Sequence, residues 1–580
     1  MILSNNLQSV VVRRLALVAG LLFLLSACNS LGPTLVTSPG PAAGSAPTAA
    51  AAPVPIRLVA PIALYRDVVS GTVVSGRVEA EVQPSTPVRY SLGKPPSRGR
   101  VELPDPARDG WTYTPEPGYI GYDHFEITSQ AGSENRTTRV VVMQGPPPAQ
   151  RILVVDANTG SDVNLGTEAA PFATLKAAHD VSLPGDTVLV RNGRYEQTGI
   201  EGVVHISRSG LPGAFITYKP WPGHKPVLSA ATAWNVLLVT ASYIRIEGFE
   251  VVGAADRIPI AASEAVYERF AKGPEHYTWG FETSAVNGNG IGVRPANQNA
   301  PLPDRIVPRH VHIVGNLVHN VAGGGIYTDM ADHIVIESNR VHDTAWRSIF
   351  ANSGISLFHS FDTDNETKQY KNIIRNNVAW RNRSEIKWYQ PKKLSDGNGI
   401  IVDDLRNTQI KGMAYRGRTL VVGNVSYDNG GAGIQVFSSD NVDVLYNTVA
   451  HNSLAPTLNY GELYVHNASR VRVMNNIAVS SATSHINGTG KGNPRMVDVV
   501  YDYNVYFGPV APVIVGANDR IADPRFIDFA ARNLGLTSAS PAIDSAGGPL
   551  RDIDLAKDVQ GRPRPVGGKR DRGAYEYARE

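Results

Sequence analysis

Cysteine is almost absent: one thiol, Cys28, in 580 residues, which excludes an internal disulfide framework. Charge is sparse as well. Acidic and basic residues make up 18% of the chain and balance to a net +3, so no basic stripe exists to hold nucleic acid, and none is expected as a partner. A run able to cross a bilayer is missing too, since the apolar stretch Leu15 to Leu25 falls short of the ~20 residues a spanning helix needs. Helical periodicity is scarce between residues 310 and 510. What the chain has instead is 55 glycines and 40 prolines, the composition of a turn-rich all-β protein several times longer than one ordinary domain.

The start of the chain explains the lone thiol. Arg13 and Arg14 precede the apolar run, in the order of an export signal. Leu25-Ser26-Ala27-Cys28 then resembles a bacterial lipobox. That resemblance implies a signal peptide over 1–27, cleavage before Cys28 and acylation of its thiol and new amino group, with enough chains to hold the protein on a membrane. The expected location is the bacterial cell envelope, and Asn29, where aspartate would favour inner-membrane retention, leans it to the outer membrane. Residues 28–55, rich in Ala, Pro, Gly, Ser and Thr, read as a disordered tether.

Between 310 and 510 one pattern keeps returning: Asn316-Leu-Val-His-Asn320, Asn339-Arg-Val-His-Asp343, Asn377-Val-Ala-Trp-Arg-Asn382, Asn424-Val-Ser-Tyr-Asp-Asn429 and Asn447-Thr-Val-Ala-His-Asn452, with echoes at Asn476 and Asn504. A repeat of this length signals a solenoid, because one unit cannot bury its apolar face without a stacked neighbour. The segments between the asparagines alternate apolar and polar, as in His333-Ile-Val-Ile-Glu337 and Arg470-Val-Arg-Val473, so each repeat is three short strands. The fold class expected is all-β, a parallel β-helix over 151–521. Its asparagines should stack rung on rung and satisfy turn backbone that no ladder reaches.

Other stretches carry resemblances. Gly110-Trp-Thr-Tyr-Thr-Pro115, Gly118-Tyr-Ile-Gly121 and Tyr122-Asp-His-Phe-Glu-Ile127 resemble cadherin-like, immunoglobulin-type modules of bacterial surface proteins. They imply a separate β sandwich over 56–144 acting as a spacer, followed by a stiff linker at 145–150. Val155-Asp-Ala-Asn-Thr-Gly-Ser-Asp162, Gly166 to Leu175, Pro184-Gly-Asp-Thr187 and Gly193-Arg-Tyr195 resemble the amino-terminal cap of right-handed parallel β-helix proteins that include polysaccharide-lyase family nine, which implies a right-handed parallel β-helix here. Asp523-Pro-Arg-Phe526, Ser540-Pro-Ala-Ile-Asp544 and Asp571 to Tyr577 resemble the choice-of-anchor Q segment, implying that 522–580 closes the coil. Asp544, Asp552, Asp554 and Asp571 are expected to bond local turns rather than hold a cation.

Chemistry on a β-helix is sought in columns, because outward side chains of successive rungs lie ~4.8 Å apart. If Ile326, Ile355, Ile400, Ile434 and Leu463 point inward, alternation sends Tyr327, Ser356, Ile401, Gln435 and Tyr464 outward, and beside them Asp329, Phe358, Asp403, Phe437 and His466. Carboxylates with aromatics suit sugar: rings stack on pyranose faces, and carboxylates bind hydroxyls, transfer protons or hold calcium. The candidate catalytic residues are Asp403, Asp404, Asp329, Arg406 and His466. Substrate is assigned to Tyr327, Phe358, His359, Gln435, Phe437 and Tyr464, and a calcium ion to Asp403, Asp404 and Asn407.

The family-nine resemblance implies an aspartate cluster on calcium and a lysine base. Asp403-Asp404-Leu-Arg-Asn407 matches the cluster in part, and the lysine context is missing; Lys387, Lys392, Lys393 and Lys411 lie in nearby insertions. The reading is a monomeric, lipid-anchored protein that binds and cleaves acidic polysaccharide by β-elimination. The rivals are a non-catalytic glycan-binding or structural module, and a hydrolase using Asp329 and Asp403. We expect Cys28→Ala to move the protein from the membrane to the soluble fraction on cell fractionation; unchanged membrane partition without lipid label would refute the anchor.

Overall fold

The computed structural model describes residues 55–481, 485–488, 496–551 and 553–578. The expected signal, acylated Cys28, nearly all of the tether and Asp552 lie outside them. Among the described residues no helix is long and apolar enough to cross a membrane.

From Ile152 onward the chain winds as a right-handed parallel β-helix. Each rung contributes one strand to each of three faces. The first face runs from Ile152–Val155 to Val497–Asp502, the second from Arg194–Gln197 to Arg520–Ile521, and the third from Val204–Ile206 to Asn487–Gly488. The first and third are joined where one strand, Ile326–Glu337, bends through the corner between them. Inward positions are Val, Ile and Leu at nearly every rung, so the interior is one continuous apolar column. Burying it is the main driving force, and no rung achieves it alone.

The asparagines form the expected ladder. Oδ1 of Asn339 accepts the backbone N–H of Asn316 at 2.9 Å and its Nδ2 at 3.0 Å. The same double contact links Asn339 to Asn377, Asn377 to Asn424, Asn424 to Asn447, Asn447 to Asn476, and Asn476 to Asn504. Each Nδ2 also donates to a first-face carbonyl, such as that of Ile374 for Asn424. Asp519 ends the series. A second ladder, Asn382 to Asn429 to Asn452, ends on the buried carboxyl of Glu462.

The amino-terminal end is covered by a short helix, α1 (Leu175–Val181), capped by the Thr174 hydroxyl and burying Leu175 and Ala178. The far end differs from expectation. Residues beyond 522 lie back along the outside of the second face, where Leu534, Leu536, Ala542 and Ala574 pack on Val425, Ala450 and Ile477. They also wrap the corner at Leu445, Tyr446 and Met474. Their acids bond turns, Asp571 accepting the backbone N–H of Asp544 and Tyr577 and Asp544 that of Lys569.

The segment 56–145 is a two-sheet sandwich around Trp111, Tyr113 and Phe125. It is not a free spacer. Ala63, Tyr65 and Val141 pack with Val307, Met330 and Phe361 of the coil. The Tyr65 hydroxyl donates to the carbonyl of Arg305 at 2.7 Å, and the Tyr65 N–H to that of Thr363 at 3.0 Å. At the centre the Arg309 guanidinium pairs with Asp67, both buried. A charge so enclosed is tolerable only while its partner stays.

We expect Asn424→Ala, which strands the buried N–H of Asn377, to lower unfolding free energy by about 1–3 kcal/mol in urea titration. Asp67→Ala, which leaves Arg309 unpaired, should cost about 3–5 kcal/mol. An Asp67→Ala protein as stable as the parent would show that the sandwich is not bound to the coil.

Candidate functional site

The later rungs of the second face lie under the carboxy-terminal segment, and the first face carries ion pairs between neighbouring strands, Arg375 with Glu337 and Arg418 and Arg472 with Asp443. The third face carries the column. Its register pairs Tyr327, Ser356, Ile401, Gln435 and Tyr464 in one line and Asp329, Phe358, Asp403, Phe437 and His466 in the next. Thr328, Leu357, Val402, Val436 and Val465 between them point into the coil and are buried, as the alternation requires.

Asp403 therefore sits between two phenylalanines, Phe358 on one rung and Phe437 on the next. It reaches solvent, yet protein surrounds it on most sides and no described residue hydrogen-bonds its carboxylate. Burial and the nearby Asp396 carboxylate push its pKa well above the ordinary range, against the pull of His359. Burial also raises Asp396 to about 6, opposed by a hydrogen bond from Asn398. The two acids are too close to ionise independently. Asp396 is held by a left-handed turn, φ 58° followed by Gly397 at 70°.

Behind this pair is a relay. His359 is 3% exposed. Its Nδ1 lies 2.9 Å from Asp329 Oδ1 and its Nε2 3.4 Å from Asp404 Oδ2. Burial opposes its charge, but the two carboxylates outweigh it and raise the pKa to about 9. The ring is thus an imidazolium at neutral pH, fixed between a buried acid and one that faces the groove.

Asp404 is that buried acid and not a groove residue. It turns left-handed at φ 46°, which breaks the alternation, and its oxygens accept the backbone N–H groups of Thr408 and Gln409 and the Thr408 hydroxyl. Burial opposes its charge; His359 and these donors prevail and hold its pKa down. Asn407 donates to the carbonyls of Ser360 and Met413. Arg406 pairs with Asp440 and bonds Asn467 and Ser469 at the next corner. So the Asp404 oxygens are taken by donors, Asn407 Oδ1 is buried without a partner, and Arg406 is held at the corner rather than at the groove. Lys387, Lys392, Lys393 and Lys411 are exposed.

The remaining residues divide. Phe437 and His466 stack at 5.2 Å, and Tyr464 continues the row at 6.1 Å. Tyr327 lies across Gly292 of the previous rung, where a Cβ would meet its ring at 2.5 Å. Gln435 is largely buried, and His359 acts from beneath the surface rather than on it. Sequence reasoning takes in Asp396 as the start of the acidic stretch Asp396–Asp404 without giving it a role of its own, and it passed over Tyr460, whose ring lies 5.2 Å from that of Tyr464. It also missed Asp332, His333 and Asp364, whose ligand atoms cluster closely enough for a metal ion. There the ammonium of Lys371, 2.7 Å from Asp332 and 2.9 Å from Asp364, already supplies the cation.

A family model described as Pel9A-like, right handed beta helix region matches residues 154–468, more than half the chain. The chain belongs to this family. Among solved structures, that of pectate lyase Pel9A is 14% identical, covering 74% of this chain and 98% of the other at a TM-score of 0.43. The GH136 lacto-N-biosidase of Eubacterium ramulus is 14% identical, covering 62% and 56% at 0.38. A curated relative, the uncharacterized protein YwoF of Bacillus subtilis (strain 168), is 34% identical over 76 residues, so the chain spans 15% of that protein's length.

His359 gives a pH test. With its folded pKa near 9 against about 6.5 unfolded, its ion pairs add their full stability below about pH 6.5 and lose it as pH rises through 9. We expect the destabilisation caused by His359→Gln, measured by thermal melting, to be greatest near pH 6 and to shrink toward pH 10. A penalty independent of pH would mean that the ring is neutral.

Proposed function

We propose that the third face binds a polysaccharide along the coil axis and cleaves it by carboxylate acid–base chemistry. The observation that carries this reading is the pairing of two unlike acids in one outward column. Asp403, desolvated between aromatic rings and set near the Asp396 carboxylate, has its pKa pushed well above the ordinary carboxylate range; Asp329 faces the His359 imidazolium. Two carboxyl groups whose environments differ in this way suit a general acid and a general base. They stand two rungs apart, about 9.6 Å along the axis, at the upper limit of the separation that leaves room for a water in an inverting hydrolysis. Asp403 would protonate the glycosidic oxygen, and Asp329, oriented by His359 and through it by Asp404, would take the proton of the attacking water. Phe437, Tyr464 and His466, stacked in a row, offer apolar ring edges for the sugar rings.

Elimination on a uronate chain is the second reading, supported by membership of a Pel9A-like family. It needs a cation against the substrate carboxylate and a base beside it. Here the groove is rich in acids, Asp404, Arg406 and Asn407 are committed to turns, and the candidate lysines are solvated. The hydrolytic reading fits these residues better. Anchoring in the cell envelope would put such an activity where external polymers are met.

The test is a panel of neutral and uronate polysaccharides followed both by new reducing ends and by the ultraviolet absorbance of unsaturated products. Reducing ends without that absorbance support hydrolysis; absorbance on uronates alone supports elimination. Asp403→Asn should lower kcat by at least about a hundredfold. It should also leave the melting temperature at neutral pH unchanged or higher, because an acid with a raised folded pKa loses the fold stability once pH exceeds its unfolded value. In Asp396→Asn the repulsion on Asp403 is gone, so the alkaline limb of the rate profile should move to lower pH. A fully active Asp403→Asn protein would place the chemistry elsewhere.

A further inference from the structure

The corner leading into the third face carries an insertion that the acid–base scheme leaves without a role. Residues 253–288 interrupt the coil between the strands Glu250–Val252 and Asn289–Val293 and form two helices, α2 (Ile260–Phe270) and α3 (Phe281–Asn287). They build a small apolar core of their own. Val266, Phe270 and Val286 pack with Ile349 and Ile386 from the same corner of later rungs. Phe270 stacks on Tyr277 at 4.5 Å and meets Trp279 edge-on at 5.4 Å. This core presents two large rings to solvent, Trp279 at 57% and Phe281 at 55% exposure.

Trp279 is not isolated. Its ring centre lies 6.1 Å from Trp234, just ahead of the third-face strand Asn235–Val239, and 6.4 Å from Phe350, which it parallels within 7°. Phe350 in turn precedes the strand Ile355–Ser360, one rung before that of Asp403. The rings thus border three rung spacings of the groove, about 14 Å, and their far end is about 19 Å from Asp403. Tyr460 continues the border past Asp396. The exposed rings are rimmed by charge, including the Arg269–Glu282 pair, and are too few to seat a folded protein partner. A flat indole beside a groove does fit the C–H face of a pyranose.

We propose that Trp279, backed by Trp234 and Phe350, is a remote sugar-binding subsite that grips the same chain several rings away from the cleavage point and so selects long polymers over short fragments. This rests on the reading of the third face as a polysaccharide groove. The test compares wild type, Trp279→Ala and Trp279→Phe on polygalacturonate, alginate, xylan and galactan, each as polymer and as trisaccharide, by kinetics and tryptophan fluorescence. Trp279→Ala should raise KM for the polymer that is cleaved by about fivefold to tenfold, leave kcat and trisaccharide turnover unchanged, and remove polymer-induced quenching; Trp279→Phe should recover most of the affinity. A polymer KM within about twofold of wild type overturns the subsite while the cleavage reading stands. So does a Trp279→Ala protein that melts early or loses trisaccharide turnover equally, because the residue is then structural. If the wild type neither binds nor cleaves any polymer, both readings fall.

Discussion

One buried amide per rung sets the register of this coil. The Asn316 to Asn504 ladder ties each rung to the next through a backbone N–H and a side-chain N–H on the same carbonyl oxygen. A strand slipped by one residue would lose both bonds and turn its apolar side chains outward. The ladder stands at the corner between the first and second faces, and the interior packing carries its register round to the third. Asp329, Phe358, Asp403, Phe437 and His466 share a line because of it.

Around this fixed coil the other parts of the chain cover what does not need to be open. The carboxy-terminal segment lies on the second face, the sandwich is pinned at the corner beyond Asp329 and His359 through Asp67 and Arg309, and the insertion at 253–288 raises a wall on the opposite side. What is left is a strip where the packing rules are broken locally. Asp403 has aromatic neighbours where a carboxylate would gain from donors, and that burial, with Asp396 nearby, raises its pKa. His359 is the reverse case, a buried cation kept charged by acids on either side. Such local conflicts lower stability and are typical of sites shaped for chemistry.

The repeat, the direction of each strand and the outward column were legible in the sequence because period-two alternation and a recurring asparagine each leave a direct mark. Legibility ended where strands end. Asp404, Arg406 and Asn407 follow Asp403 in sequence, but the left-handed turn at Asp404 removes them from the column, and no alternation rule predicts that. The contacts of Asp67 with Arg309, and of Leu534 with the second face, join residues hundreds of positions or many rungs apart. They depend on three-dimensional closeness that no local pattern encodes. Asp396, part of the same acidic stretch, was given no role of its own for a related reason: its importance comes from nearness to Asp403 rather than from its own setting.

The most direct measurement is a crystal structure of the Asp403→Asn protein soaked with a fragment of whichever polysaccharide it retains. The account predicts a chain lying along the third face, parallel to the coil axis, with a glycosidic oxygen within hydrogen-bonding distance of residue 403 and a water beside Asp329. A fragment bound on another face, or lying across the third face away from residue 403, would contradict it.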